Sequence, residues 1–551
     1  MKKRSNRLWD CCTRTLGLET KLEKRWFIAA FILLFAYLWA MQFLRSYLML
    51  EYTPEPGCLM VYSAFLALPL CVFGLMLLTN VQITAVPPEV QAGAFRRFFP
   101  LIASTLTFGY LLVWLTAFLP GGFPPDCVDQ YKQVLTGSYN NWHPILQTWL
   151  FFWIPWQIFH HPAGFAFFQI ILFSLSVAYL YRVLCRRRCP TWFLIISWLF
   201  LATNPQTAKT MMFPWKDSAL TIAALVIFTQ LIEIFETEGT WLCKWHHFLS
   251  FTGMCFLATS FRHNAILLTA PVYILLFLFQ KKHRKTVALS ALLMLLAMWL
   301  LNGPVMQLFH VTSPGNRQEE LLGLPMTVLS AVYVHQRDAL SPDAISFLDS
   351  IASSEDWQRC FELGNFNRLK FSSSLPLVSR IEAEGAANVL RYTVQAFLSS
   401  PFWSLRAVIS LTKLVWDPLS GTGTIDIPYC TPNDISLTGQ GYGPLKSALT
   451  SWCETADSSF LFPFTNCVGM MILILMFAAV IHIGRGKLGR AFMIFPMLIY
   501  DFGTMLLLTG PDFRFFHFNF VIIIPLLYLI LCEKAEAAET VPKEESHENQ
   551  G

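Results

Sequence analysis

"PDCVDQYKQVLTGSYNNWHP", Pro125 to Pro144, lies between two of the most apolar stretches of a 551-residue chain. Within these twenty positions stand two aspartates, a histidine, four Asn or Gln side chains and a tryptophan. A linker needs only solubility, and any polar mix would supply it. This selection raises a narrower question: which side of a membrane the segment lies on, and what it meets there.

Outward from this segment the chain is apolar. It is 55% hydrophobic and 14% charged, with a mean hydropathy of +0.48, whereas soluble domains carry about 25% charged residues. Apolar runs of about 20 residues recur, the length that crosses roughly 30 Å of hydrocarbon. The expected fold class is an all-α polytopic membrane protein. Spans are expected at 26–49, 58–79, 99–119, 163–184, 190–204, 217–235, 247–261, 264–280, 286–302, 461–482, 490–509 and 516–532. The first has a basic segment before it and no small-residue cleavage site after it, so it reads as a retained span.

Sidedness follows from the basic residues, which concentrate in cytoplasmic loops. Clusters at Lys2–Arg4, Lys24–Arg25, Arg96–Arg97, Arg182–Arg188, Lys281–Lys285 and Arg485–Arg490 fall on one parity. Both termini are then cytoplasmic. "ILQTWLFFWIPWQIF", Ile145–Phe159, breaks that parity if it crosses, and its tryptophans suit a helix lying along the outer face. The chain thus divides into a cytoplasmic segment (1–25), a transmembrane module (26–302) with its functional outer loop at 120–160, an outer-face domain (303–460), C-terminal transmembrane helices (461–532) and a disordered acidic tail (533–551). The outer-face domain is expected to be mostly helical, with Pro401–Trp416 on or dipping into the membrane.

Cysteine and charge exclude some classes. Of 14 cysteines, those in apolar runs, such as Cys71, Cys255 and Cys467, are small packing residues. Cys360, Cys430 and Cys453 lie in the long polar region, where a Cys430–Cys453 bridge is open. There is no zinc-type spacing. The net charge of +5 is dispersed in short loops, which gives no footprint for nucleic acid.

Positive charge on the outer side is the informative exception. Lys216 in "FPWKDSAL", Arg262 in "SFRHN" and Arg514 in "GPDFRFFHFNF" stand at outer ends of spans. A phosphate suits them, because Arg offers a planar fork of donors and Lys a compact charge. The alternative is snorkelling, or pairing of Lys216 with Asp217 and of Arg514 with Asp512. In the opening segment Asp126 and Gln130 share a helical face, with Asp129 flanking them. A carboxylate screened from bulk water can act as general base toward a hydroxyl; simple N-capping by Asp126 is the alternative. His143, in the Asn140–Pro144 run with Asn141 and Trp142, binds phosphate, orients an acid, or makes one structural hydrogen bond. Asp217 orients an acceptor, holds a divalent ion, or only pairs with Lys216. Asp501, mid-span, is a functional candidate by default, and a packing role is expected for it.

Taken together, "PDCVDQ", "NNWHPIL", "WKDSA" and "PDFRFFHFN" resemble the bacterial branch of the GT-C glycosyltransferase superfamily, multi-span enzymes that use polyprenyl-phosphate-linked sugars. The layout resembles the superfamily throughout, while the motifs cover about a tenth of the chain. The Asp-x-x-x-Gln pattern of one little-characterised group falls on Asp126 and Gln130. The resemblance implies a GT-C-like bundle of about 12 transmembrane helices. It implies Asp126, Gln130 and His143 as catalytic residues. Asp129, Asn141, Trp142, Lys216, Asp217, Arg262, Asn264, Asp512 and Arg514 would bind substrate. Partners would be a polyprenyl-phosphate sugar donor, a glycan, lipid or protein acceptor, and the bilayer, at the outer face of a bacterial plasma membrane. The chain departs from the family in the Asp126…Asp129 spacing, where many members have D-x-D or D-E near a metal, so Mg or Mn dependence stays open. A transporter or flippase of lipid-linked sugars, and a non-catalytic assembly partner, are the rival functions.

Overall fold

The computed structural model describes residues 21–49, 56–80, 83–86, 93–313, 321–372, 376–421, 424–484 and 488–533. The basic segment 1–20 and the tail 534–551 lie outside these residues. The architecture is all-α. Strand pairing among the described residues amounts to Ile83–Thr84 beside Cys532–Glu533 and two isolated bridges, Phe123 with Cys430 and Asn140 with Thr312.

The N-terminal half supplies α1 (Lys21–Met49), α2 (Pro56–Asn80), α3 (Ala94–Ala117) and the short α4 (Pro125–Thr136). Next come α5 (Ala163–Arg186), α6 (Thr191–Thr203), α7 (Pro205–Met212), α8 (Lys216–Glu236), α9 (Trp245–Phe261) and α10 (Ile266–Phe279). After a long helical run, Lys281–Leu308, follow α11 (Gly323–Gln336), α12 (Pro401–Trp416), α13 (Val468–Gly484), α14 (Phe495–Met505) and α15 (Phe518–Leu531). Among the described residues seven helices are long and apolar enough to cross a membrane: Arg25–Leu48, Gly57–Leu75, α3, α5, α8, Lys281–Leu308 and Phe513–Leu531. The expected spans at 190–204, 264–280 and 461–482 are shorter apolar helices. This is the layout of a multi-pass membrane protein.

Helices α8 and α15 pack against each other at the centre, their apolar windows 89% and 83% buried against 56% or less for the other five candidates. A helix apolar all round belongs inside a bundle or a membrane, and "ALTIAALVIFTQLI" within α8 is such a run. Helices α5 and α9 flank α8, and α13 flanks α15. At the Glu236 end of α8, Glu233 takes Arg186 and Arg187, while Glu236 holds Arg490 at 2.7 Å. Several of the expected cytoplasmic arginines therefore gather there. Lys216 sits at the opposite end, about 30 Å away at 1.5 Å per residue.

A second hydrophobic core runs from Leu322 to Ala407. Helix α12 joins it to the bundle: Ala407 belongs to that core, whereas Leu411, Leu414 and Val415 belong to the main one. Arg45 of α1 reaches Asp417, just beyond α12, at 3.3 Å. Cys360, Cys430 and Cys453 are all free thiols, so the Cys430–Cys453 bridge left open by the sequence is absent. Ile145–Phe159 is one helical run with a π turn at Trp149–Trp153, packed on α5 and α9.

Candidate active site

Asp126 owes its position to local punctuation. Pro125 occupies the first position of α4, where its missing N–H costs nothing, and Gly137 closes the helix in the left-handed region at φ 70°. The N-cap is Pro124, and no side chain caps this end. Asp126 is therefore not the N-cap considered from sequence. It sits two positions further in than the cap, where the helix dipole favours a carboxylate, and its Oδ2 accepts a hydrogen bond from Arg514 Nη1 at 3.1 Å.

Arg514 comes from the short turn Phe513–Phe516 that leads into α15. Asp512 caps this turn by accepting from the Arg514 N–H at 3.1 Å, and its carboxylate also meets Arg514 Nε at 2.8 Å. One guanidinium thus bridges two carboxylates. Arg262, at the α9–α10 connection, pairs with Asp217 in the first turn of α8. Its Nε donates to Asn264 at 2.6 Å, and Asn264 in turn donates to Thr504 at 2.7 Å. Both arginines stand over the ring of Phe515, Arg262 at 3.8 Å and Arg514 at 4.9 Å from its centre. Arg514 also lies 5.3 Å from the ring of Trp215, which stacks on Phe213 at 4.1 Å.

The electrostatics are those of a neutral cluster. Lys216, Arg262 and Arg514 face Asp126, Asp217 and Asp512. Burial pushes the Asp126 carboxyl up, but Arg514, Lys216 and His143 together outweigh it and hold it at about 2. Asp126 is ionised at any physiological pH, and while Arg514 holds it, it is a weak proton acceptor. An anion that draws Arg514 away would strengthen it. Among the described residues no group of three or more His, Cys, Asp or Glu is placed to hold a metal ion. With Asp126, Asp217 and Asp512 already on guanidinium groups, these carboxylates do not fit a Mg or Mn ion.

Several expected residues are held by neighbours other than the charged cluster. Gln130, buried, donates to Gln147 and, at 2.8 Å, to Thr148. Gln147 then donates to the Pro214 carbonyl at 3.0 Å, tying α4 to the segment before Lys216. Gln130 thus positions the loop. Asp129 accepts from Gln133 at 2.9 Å and faces His143 Nε2 at 3.7 Å. The Asn141 side chain accepts from the Ile145 N–H at 3.2 Å, and the backbone of Asn141 and Trp142 hydrogen-bonds His263. Asp501 is buried and takes both of its hydrogen bonds from Asn519, at 3.0 Å each, the partner that packing required.

The structure adds residues absent from the expected set: Phe515, Trp215, Thr504, Gln147 and His263. Lys209 in "TAKTMM" is buried in α7 and feels the charges of Asp457 and Asp426. Tyr429, on an extended strap between α12 and α13, meets Phe213 edge-on at 5.9 Å. That strap is pinned to the loop before α4, with Phe123 N–H donating to Tyr429 O at 2.7 Å and Gln440 N–H to Leu119 O at 2.7 Å. No family model, curated protein or solved structure matches the chain.

Proposed function

We propose that the chain is a membrane glycosyltransferase of GT-C-like architecture with about 12 transmembrane crossings. It moves a sugar from a polyprenyl-phosphate donor to a hydroxyl of a cell-surface glycan, lipid or protein. Its site faces outward from a bacterial plasma membrane, with both termini cytoplasmic. One observation carries the reading. Asp126 and Arg514, 388 positions apart, meet at the same end of α8 as Lys216 and the Arg262–Asp217 pair.

The acceptor oxygen attacks the anomeric carbon as the bond to the donor phosphate oxygen breaks. The acceptor proton passes to Asp126 Oδ2, and the bonding electrons leave on the phosphate. Arg514, Lys216 and Arg262 stabilise that charge, a preorganised role that elsewhere is worth about 3 kcal/mol per donor. Because the cluster is neutral at rest, the entering phosphate competes with Asp126 for Arg514. Winning that competition frees Asp126 as the base at the moment it is needed. A cavity of about 240 Å³ beside the site, with Asn141 and His263 at its edge and Ile145, Ile266 and Leu295 in its wall, takes the first units of the isoprenoid chain.

The test is transfer from a polyprenyl-phosphate sugar by purified protein carrying Asp126→Asn. Loss of product with unchanged yield and thermal stability is expected. Near-normal turnover would remove Asp126 from the mechanism, and lipid flipping without transfer by the wild type would favour a transporter.

A further inference from the structure

An apolar groove lies away from the site. It runs between α5, α8 and α9, with a volume of about 720 Å³. Its wall is made by Leu172 and Leu175 of α5, Val226 of α8, and Met254 and Leu257 of α9. From Phe168 to Arg186 the groove follows α5 over about 27 Å of helix, close to the roughly 30 Å of a bilayer's hydrocarbon. Leu175 is 60% exposed, so the groove opens sideways toward the lipid.

Its two ends differ. Phe151 and Phe261 close the end nearest the active site, while Arg182, Arg186, His246 and His247 collect at the other. Arg182 and His246 are exposed, and Arg182 makes no ion pair among the described residues. Arg186 shares Glu233 with Arg187. This is an elongated apolar slot with a surplus of positive charge at one mouth.

We infer that this groove is a binding site for an anionic phospholipid of the bilayer, its acyl chain along α5 and its phosphate on Arg182 and His246. The charge at the mouth calls for an anion, and the slot calls for a chain attached to it. The glycosyl donor does not fit: with its phosphate at Arg182 its sugar would lie a full helix length from Asp126. A phosphodiester headgroup at the membrane surface satisfies both features, since juxtamembrane basic residues attract anionic lipid.

The test uses the full chain purified in neutral detergent, with phosphatidylglycerol and phosphatidylcholine offered in equal amounts and retained lipid counted by native mass spectrometry. Wild type is expected to retain phosphatidylglycerol preferentially. Arg182→Gln should weaken that retention about tenfold, the loss expected of one charge-assisted contact, and leave phosphatidylcholine unchanged. Leu175→Trp, which fills the slot and keeps every cation, should also lose it. Equal retention of the two lipids, or undiminished phosphatidylglycerol in both variants, would overturn the assignment. So would displacement of phosphatidylglycerol by a polyprenyl phosphate through these same residues.

Discussion

Arg514 is the residue on which the cluster turns, because one guanidinium serves Asp126 and Asp512 together. Removing it in Arg514→Gln leaves burial less opposed at Asp126, and the carboxyl rises from about 2. An opposite charge at this range moves a carboxyl by about 1 to 3 units. The acid limb of kcat/KM for residual transfer should climb by a similar amount, and an unmoved limb would show that Arg514 does not tune the base. The sign for stability follows from the same shift. A folded carboxyl held below its ordinary value of 3.8 stabilises the protein above that pH, and the contribution is lost as pH falls toward 2. Asp217 makes a different prediction. It and Arg262 are both buried, and removing one partner of such a pair leaves an uncompensated charge costing about 3–5 kcal/mol. Asp217→Ala should therefore lower the denaturation midpoint sharply, and Asp217→Leu with Arg262→Met should recover most of it. The charged members of the cluster were legible in sequence because outer-side charge is rare beside apolar spans. Their aromatic partners were not, since nothing local sets Phe515 and Trp215 apart among the chain's 49 Phe and 18 Trp residues.

Helix α4 shows what an element adds. Its proline start and glycine stop are local signals, so the helix carrying Asp126 and Gln130 is readable from "PDCVDQYKQVLTG". What Gln130 bonds to is not readable, because Gln147 and Thr148 reach it only after the chain folds back. Gly137 sits at φ 70° with open space where a Cβ would stand. Gly137→Ala therefore meets no clash, and its cost is the left-handed backbone alone, about 1–2 kcal/mol. A lower thermal midpoint with little change in KM is expected, and Gly137→Asn should cost less, since Asn tolerates that region. The strap between α12 and α13 is the element that local pattern conceals most fully. Its pairing with the loop before α4 joins segments about 300 residues apart through backbone bonds, which leave no side-chain signature. Where strap and bundle meet at Gly441, a Cβ would stand 1.8 Å from the Ala117 carbonyl oxygen. That neighbour is backbone and cannot yield, so Gly441→Val should loosen the strap and reduce transfer.

At the scale of the molecule, charge is partitioned between the two ends of α8, and sidedness rests on that partition. The Asp126 end holds balanced acid–base pairs, whereas the Glu236 end gathers Arg186, Arg187 and Arg490. Basic excess marks the cytoplasmic side, so in the proposed reading the cluster faces outward, where a lipid-linked donor and a surface acceptor would meet. Site-directed labelling tests this directly. Ser138 is exposed just beyond α4, and the Lys282 side chain is 81% exposed at the opposite end. Exposed Cys58 and Cys243, together with Cys11 and Cys12, are first changed to Ser to clear the background. In intact cells a membrane-impermeant maleimide should label Ser138→Cys, and it should label Lys282→Cys only after permeabilisation. The reverse pattern would place Asp126 in the cytosol, where a site for surface glycan acceptors has no use. Equal labelling of both before permeabilisation would mean that the two ends of α8 share a side, and the bundle would not cross the membrane as described. Because the two positions sit at opposite ends of the most deeply buried candidate span, one experiment reads the orientation of the site and of the bundle together.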